Sequence, residues 1–325
     1  MLGVEGSQAV EARSLGRTFK GGVEAVRGID LAVASGEVFG FLGPNGAGKT
    51  TTVRMLCTLL PLTAGSARVA GIDVVADPAE VRRRIGVALQ EIGLDPVQTG
   101  RELLELQCGL YGITGEAARA RTSELLGLVG LSDAADRRTK TYSGGMKRRL
   151  DLASALVHSP EVLFLDEPTT GLDPASRLTV WEELRRINGA GTTVFLTTQY
   201  LEEADQLCDR LAIIDAGTIV AEGTPERLKA EMGHDVVRLA LGGADAGATQ
   251  AAVDGLPGLE RVVAEADALA LYLEDGAGSI AEIVRRLDRE RIRVGGIAVS
   301  RPSLDDVFLQ ATGRRLEGAE EKEPS

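Results

Sequence analysis

The run Gly43-Pro44-Asn45-Gly46-Ala47-Gly48-Lys49-Thr50 constrains this chain more than any other stretch. It has the spacing G-x-x-x-x-G-K-[ST] of a phosphate-binding loop. The glycines allow a tight turn and bring backbone N–H groups close to an anion. Lys49 then reaches the outer phosphates of a nucleotide and the Thr50 hydroxyl binds Mg²⁺, with Thr51 counted among the nucleotide-binding residues. Apolar Val38, Phe39, Phe41 and Leu42 precede the loop as a buried strand does, and Val53, Leu56, Cys57 and Leu60 follow at helical spacing. The loop therefore opens a helix whose first N–H groups face the anion. This context separates it from a Gly-rich turn with a chance lysine.

The chain has 325 residues, enough for one large domain and one small one. Its 36 basic and 48 acidic side chains leave a net charge of −12, which argues against nucleic acid as a partner. Two basic clusters stand out locally, Arg82-Arg83-Arg84 and Lys147-Arg148-Arg149, and the first reads as a solvated face. Cys57, Cys108 and Cys208 are scattered, without a CxxC, so a disulfide framework or zinc site is not expected and a reducing cytoplasm is. No apolar run reaches the length of a membrane span, and the N-terminus lacks a signal pattern. Any membrane-spanning role is expected to fall to another chain.

Along the chain, residues 1–8 are expected to be disordered. Short apolar segments at Ala9–Ala12 and Ile29–Val33 predict a small antiparallel sheet, with Phe19 in a turn where it either stacks on a nucleotide base or simply packs. Strands are predicted at Ala67–Val69 and Ile85–Leu89, the second followed directly by Gln90. A helical insert spans about 92–140. Ser143-Gly144-Gly145 then opens a helix with Leu150, Ala153, Leu156 and Val157 on its apolar face; serine suits the N-cap. Val162–Asp166 is an apolar run ending in a carboxylate, as a central parallel strand does, and Glu167 comes next. Acidic residues at such a strand end lie where open α/β sheets bind ligands. Asp166 would hold Mg²⁺ and Glu167 would orient and deprotonate an attacking water. A further buried strand, Thr192–Thr198, ends at Gln199. A hairpin is expected around Asp215-Ala216-Gly217, and Pro225 starts the last helix of this domain. The alternation predicts a mainly parallel α/β sheet.

Taken together, the phosphate loop, Gln90, Ser143-Gly144-Gly145, Asp166-Glu167 and Gly171-Leu172-Asp173 make the chain resemble an ATP-binding cassette ATPase over about residues 8–232. The resemblance implies ATP and Mg²⁺ as cofactors. It makes Gln90 the glutamine that touches Mg²⁺ and couples the site to a transport partner. Ser143, Gly144 and Gly145 resemble the signature motif, which caps ATP held by the opposite subunit; Asp173 resembles the aspartate that reaches across the dimer. Phe19 resembles the aromatic that stacks on the base. The likeness is closest to the daunorubicin/doxorubicin-resistance ATP-binding subunits and related drug or lipid exporters. It rests on the phrases Tyr142-Ser143-Gly144-Gly145-Met146-Lys147-Arg148-Arg149-Leu150, Thr197-Thr198-Gln199-Tyr200-Leu201 and Pro302-Ser303-Leu304-Asp305-Asp306-Val307-Phe308. Met146 departs from the signature glutamine, and Gln199 replaces the switch histidine. Neither His158 nor His234 is placed to fill that role.

Residues 235–312 form a separate pattern. Strands and helices in the order β-α-β-β-α-β predict a ferredoxin-like module for dimerisation or regulation, with a small-molecule sensor as the alternative. A helix over 303–312 presents Leu304, Val307, Phe308 and Ala311 on one face. The tail 313–325 is expected to be disordered. The resulting expectation is a homodimeric ATPase cassette, residues 9–232, at the cytoplasmic face of a membrane, driving a separate permease. The alternative is a soluble ATP-dependent switch not coupled to transport.

Glutamine donates N–H to a phosphate but does not titrate near neutrality. Gln199→His is therefore expected to leave ATP turnover within about tenfold (~1.4 kcal/mol) of the parent; an increase of several orders of magnitude in a steady-state assay would refute that.

Overall fold

The computed structural model describes residues 8–90, 93–233, 235–314 and 316. Of the segments expected to be disordered, 1–8 and 313–325, residues 1–7, 315 and 317–325 lie outside them, as does His234; of the rest of the tail, Gly313 caps the last helix and Leu316 is buried. Gln8, grouped with the disordered start, is instead the first residue of a strand.

The first half opens on β1 (Gln8–Thr18) and β2 (Glu24–Ala34), which pair antiparallel. These are 11 residues each, longer than the apolar segments suggest, because register shifts around Ser14 let polar residues continue the ladder. β3 (Val38–Leu42) feeds the phosphate loop and α1 (Lys49–Leu56). β4 (Ala64–Val69) and the unforeseen β5 (Ile72–Asp73) extend the first sheet to the order β2-β1-β4-β5. α2 (Pro78–Arg84), β6 (Ile85–Ala88), α3 (Gly100–Leu110) and α4 (Gly115–Leu128) follow. α5 (Gly144–Ala155), β7 (Val162–Asp166), α6 (Pro174–Gly189) and β8 (Thr193–Thr198) come next. α7 (Leu201–Leu207) and the hairpin of β9 (Arg210–Asp215) with β10 (Thr218–Gly223) complete the half.

The central sheet has the order β10-β9-β3-β8-β7-β6, parallel from β9 to β6, with β10 antiparallel at the edge. Every residue of β3, β7 and β8 is buried, as strands covered on both faces require. On one face, Leu103, Leu104, Leu125, Leu150, Trp181 and Leu184 bring helices of the insert and α5 and α6 onto the sheet. On the other, Phe39, Phe41, Phe164 and Phe195 meet α1 and the antiparallel sheet. Phe195 stands at the middle of this group, 5.4–5.8 Å from the other three ring centroids. All three cysteines are buried and unpaired.

The chain divides between Thr224 and Pro225. α8 (Pro225–Glu231) thus goes with the second unit, whereas the sequence reading closes the first domain with it; the reason is that α8 packs on the last helix of the second unit. Then come β11 (Asp235–Ala240), α9 (Ala246–Val253), β12 (Leu259–Ala264), β13 (Ala268–Leu273), α10 (Gly276–Arg289), β14 (Gly296–Ser300) and α11 (Leu304–Thr312). The order is the expected β-α-β-β-α-β, in a sheet β12-β13-β11-β14 that is antiparallel throughout. Val237, Leu239, Leu271 and Leu273 line the face that packs on α9 and α10 through Val253, Ile283 and Leu287. Among the described residues no helix is long and apolar enough to cross a membrane.

α11 is fastened by a buried carboxylate. Ser303 and Asp306 form a capping box. Asp306 Oδ1 accepts from Tyr272 OH at 2.9 Å and from Arg238 Nη2 at 2.8 Å. Burial alone would raise the Asp306 pKa, but bonds from Ser303 and the Arg238 charge hold it below the usual carboxylate range. Burial and the Asp306 charge push the Tyr272 hydroxyl up to about 12. A carboxyl with a depressed folded pKa adds stability above its unfolded value of about 3.9 and loses it as pH falls through the folded one. The thermal midpoint should therefore fall more steeply below pH 4 in the parent than in Asp306→Asn, when both are followed by calorimetry.

Candidate active site

Because β3, β6, β7 and β8 run parallel, their carboxyl ends open on one edge of the sheet. That edge collects the phosphate loop after β3, Gln90 after β6, Asp166 and Glu167 at the end of β7, and Gln199 after β8. The pairings Leu42↔Thr198 and Asp166↔Thr197 put β8 between the loop and the carboxylates.

The loop turns into α1 at Gly48, whose φ is 109°. A Cβ there would stand 2.5 Å from the Ala25 carbonyl oxygen, so glycine is required. The Gly43 N–H donates to Thr198 O at 3.2 Å and the Ala47 N–H to Pro44 O at 3.2 Å. Asn45 and Gly46 at the tip are exposed. Lys49 is buried; its Nζ donates to Gly43 O at 2.7 Å and Pro44 O at 3.1 Å, and pairs with Glu167 Oε1 at 3.3 Å. Burial pulls the Lys49 pKa down, while the Glu167 and Asp166 charges oppose it.

The Thr50 hydroxyl lies 3.1 Å from Asp166 Oδ1. Thr197 Oγ1 donates to the same oxygen at 2.6 Å and accepts the Glu167 N–H at 3.0 Å. Glu167 has φ 50°, a left-handed conformation that costs an ordinary residue about 1–2 kcal/mol. Its Oε2 receives Thr170 Oγ1 at 3.2 Å and Gln90 Nε2 at 3.5 Å. Thus Lys49 approaches one oxygen of Glu167 and Gln90 the other. The oxygen donors Thr50, Asp166 and Gln90 suit a hard cation such as Mg²⁺.

The remaining expected residues lie in two other places. Phe19, 38% exposed, sits in the β1–β2 turn with the Arg17 guanidinium 4.8 Å from its ring centroid. Ser143 caps α5 by accepting from the Met146 N–H at 3.2 Å, and both Ser143 and Gly144 are exposed. A Cβ on Gly145 would come 2.7 Å from Ser176 Oγ, so this glycine lets α5 meet α6. Asp173 caps α6, accepting from Ser176 N at 3.0 Å and Ser176 Oγ at 2.6 Å; these bonds hold its pKa below the usual range. Among the described residues no hydrogen bond or ion pair joins Ser143, Gly144 or Asp173 to the loop 43–50. Half-buried Gln199 follows β8, and Tyr200 beside it carries the Arg177 guanidinium 4.6 Å from its ring centroid. Thr197 and Thr170 escaped the sequence reading: in a strand or turn, threonine is an ordinary residue until its neighbours are known.

This geometry is matched by known proteins. The ABC transporter family profile covers residues 26–170, and the profile for the C-terminal domain of DrrA1-3-like ATP-binding proteins covers 223–312. A solved dimeric ATP-binding cassette in a post-hydrolysis state, with ADP and phosphate bound, superposes with TM-score 0.60 at 26% identity, over 66% of this chain and 98% of that one. Fold and site together are those of an ABC-type ATPase, an enzyme that binds and hydrolyses ATP. The daunorubicin resistance ATP-binding protein DrrA2 of Streptomyces coeruleorubidus is 47% identical over 97% of this chain and 98% of its own. The daunorubicin/doxorubicin resistance ATP-binding protein DrrA of Streptomyces peucetius is 46% identical over 99% of each. The chain belongs to this family of ABC transporter ATP-binding proteins.

Thr197→Val keeps shape and burial but removes the hydroxyl shared by Asp166 and the Glu167 N–H. The expected result is a fall in kcat of about 10- to 100-fold (~1.4–2.7 kcal/mol) with ATP affinity nearly unchanged. Parallel turnover and equilibrium nucleotide-binding measurements check it; an equal loss in both would assign Thr197 to nucleotide binding instead.

Proposed function

We propose that this ATPase powers an exporter of a drug-like, antibiotic or lipid substrate from the cytoplasmic face of a membrane. Two copies bind two ATP molecules, and a separate permease spans the bilayer. The observation that carries the reading is the separation of two sets of residues. Lys49, Gln90, Asp166 and Glu167 converge at the sheet edge, while Ser143 and Gly144 stand exposed at the start of α5. A helix N-terminus capped by serine is suited to an anion, here the ATP held by a second copy. The direction of transport is supported by relatives named for drug resistance.

In this reading the loop N–H groups and Lys49 cradle the phosphates, and Phe19 stacks on the base. Thr50, Asp166 and Gln90 hold Mg²⁺, which supplies positive charge against the phosphate oxygens. Glu167 takes the proton of the attacking water, and Gln199 donates to the γ-phosphate. Asp173 reaches toward the second copy. Positioning and charge neutralisation account for most of the rate. The module of residues 235–312, within the second unit, serves dimerisation or regulation.

The test is the Mg²⁺-ATP hydrolysis rate of the full chain against its own concentration, with Glu167→Gln as blank. Turnover per subunit should rise with concentration until the dimer saturates, and the blank should stay flat. Concentration-independent turnover from a species that sizes as a monomer would overturn the composite site.

A further inference from the structure

α5 holds one charge that this account leaves unused. Arg148 is 3% exposed, although it stands between Lys147 and Arg149 in a local basic cluster. Burial of the guanidinium lowers its pKa, and the counter-ion Asp151, 3.3 Å from Nη1, is itself pushed up to about 6 by burial. Such a charge is costly to bury unless its N–H groups are used.

Its N–H groups go to three backbone carbonyls. Nη1 donates to Leu89 O at 2.6 Å, Nε to Pro168 O at 2.9 Å and Nη2 to Asp166 O at 3.2 Å. Leu89 is the residue before Gln90. Asp166 and Pro168 are the residues on either side of Glu167, which is held at φ 50°. One planar fork thus brackets the strained Glu167 and ties it to the start of the Gln90 loop. A guanidinium does this with fixed geometry, whereas an ammonium is a single point. The fork hangs from the helix that begins with Ser143, Gly144 and Gly145, little more than one turn away.

We infer that Arg148 is a positioning residue for ATP hydrolysis. It holds the backbone of Glu167 and Gln90 in register with α5, so that movement of the Ser143–Gly145 end is carried to both side chains. The inference rests on the proposed roles of Glu167 and Gln90. Asp151 steadies the fork from one helical turn further along.

The test uses the full chain, with ATP turnover, equilibrium ATP binding and thermal stability measured on Arg148→Lys, Asp151→Asn, Gln90→Ala and the double variant Arg148→Lys/Gln90→Ala. Arg148→Lys should lower kcat by about tenfold or more while ATP affinity stays within about threefold, because the phosphate loop is untouched. Its effect should shrink in the Gln90→Ala background, as expected for residues acting through one network. Parent-like kcat in Arg148→Lys would overturn the inference. So would parallel losses of turnover, affinity and thermal midpoint, which mark a merely structural stitch. Should Arg148→Lys not fold, Asp151→Asn decides: lowered kcat with retained affinity supports the clamp, and unchanged kcat overturns it. Glu167→Gln run alongside keeps the two readings apart, since undiminished turnover there would refute the assignment of Glu167 rather than that of Arg148.

Discussion

Two opposite charges meet away from water at the centre of the candidate site, the Lys49 ammonium and the Glu167 carboxylate, 3.3 Å apart and nearly inaccessible. Burying an ion costs several kcal/mol unless it is well solvated by protein groups. The surroundings supply that solvation. The Gly43 and Pro44 carbonyls take two of the three Lys49 donors, and Thr170 and Gln90 approach the far oxygen of Glu167. On the proposed reading, a phosphate group arriving at the loop would compete for Lys49 against acceptors already in place, which would couple nucleotide binding to the freedom of Glu167.

The same centre explains why β8 matters although it carries no charge. It lies between β3 and β7, so its last residues touch both the loop and the carboxylates. Thr198 O receives the Gly43 N–H, while the Thr197 hydroxyl and carbonyl both receive the Glu167 N–H. Arg148 does a comparable job from the other side, through carbonyls rather than side chains. The site is thus a set of loop ends kept in register by uncharged strand backbone and one buried fork.

Much of this was legible beforehand. The phosphate loop, the Asp166-Glu167 strand end, Ser143-Gly144-Gly145 and the β-α-β-β-α-β order of the second unit all show as local spacing or periodicity, because each requires particular residues at short separations. Element limits were less legible. β14 starts at Gly296 although apolar residues begin at Ile292, since Ile292 and Val294 pack against the core before pairing begins. α8 looked like the end of the first half because its proline marks only where a helix starts, not what the helix packs on.

The sequence by itself determined the chemistry: which residues can bind phosphate, which carboxylates end a buried strand, and that a separate α+β unit follows. Those follow from backbone freedom, charge and burial pattern over a few residues. Only the tertiary structure decided strand order, and with it that Thr197 stands between the loop and Asp166. It also decided that Arg148 lies inside while its neighbours in the basic run are half-buried, and that Glu167 adopts a left-handed backbone. These depend on contacts between residues far apart in the chain, such as Thr50 with Asp166, 116 positions away, and Arg148 with Leu89, 59 positions away. No local pattern encodes them, because the partners are chosen by how the helices and strands pack rather than by their neighbours in the chain.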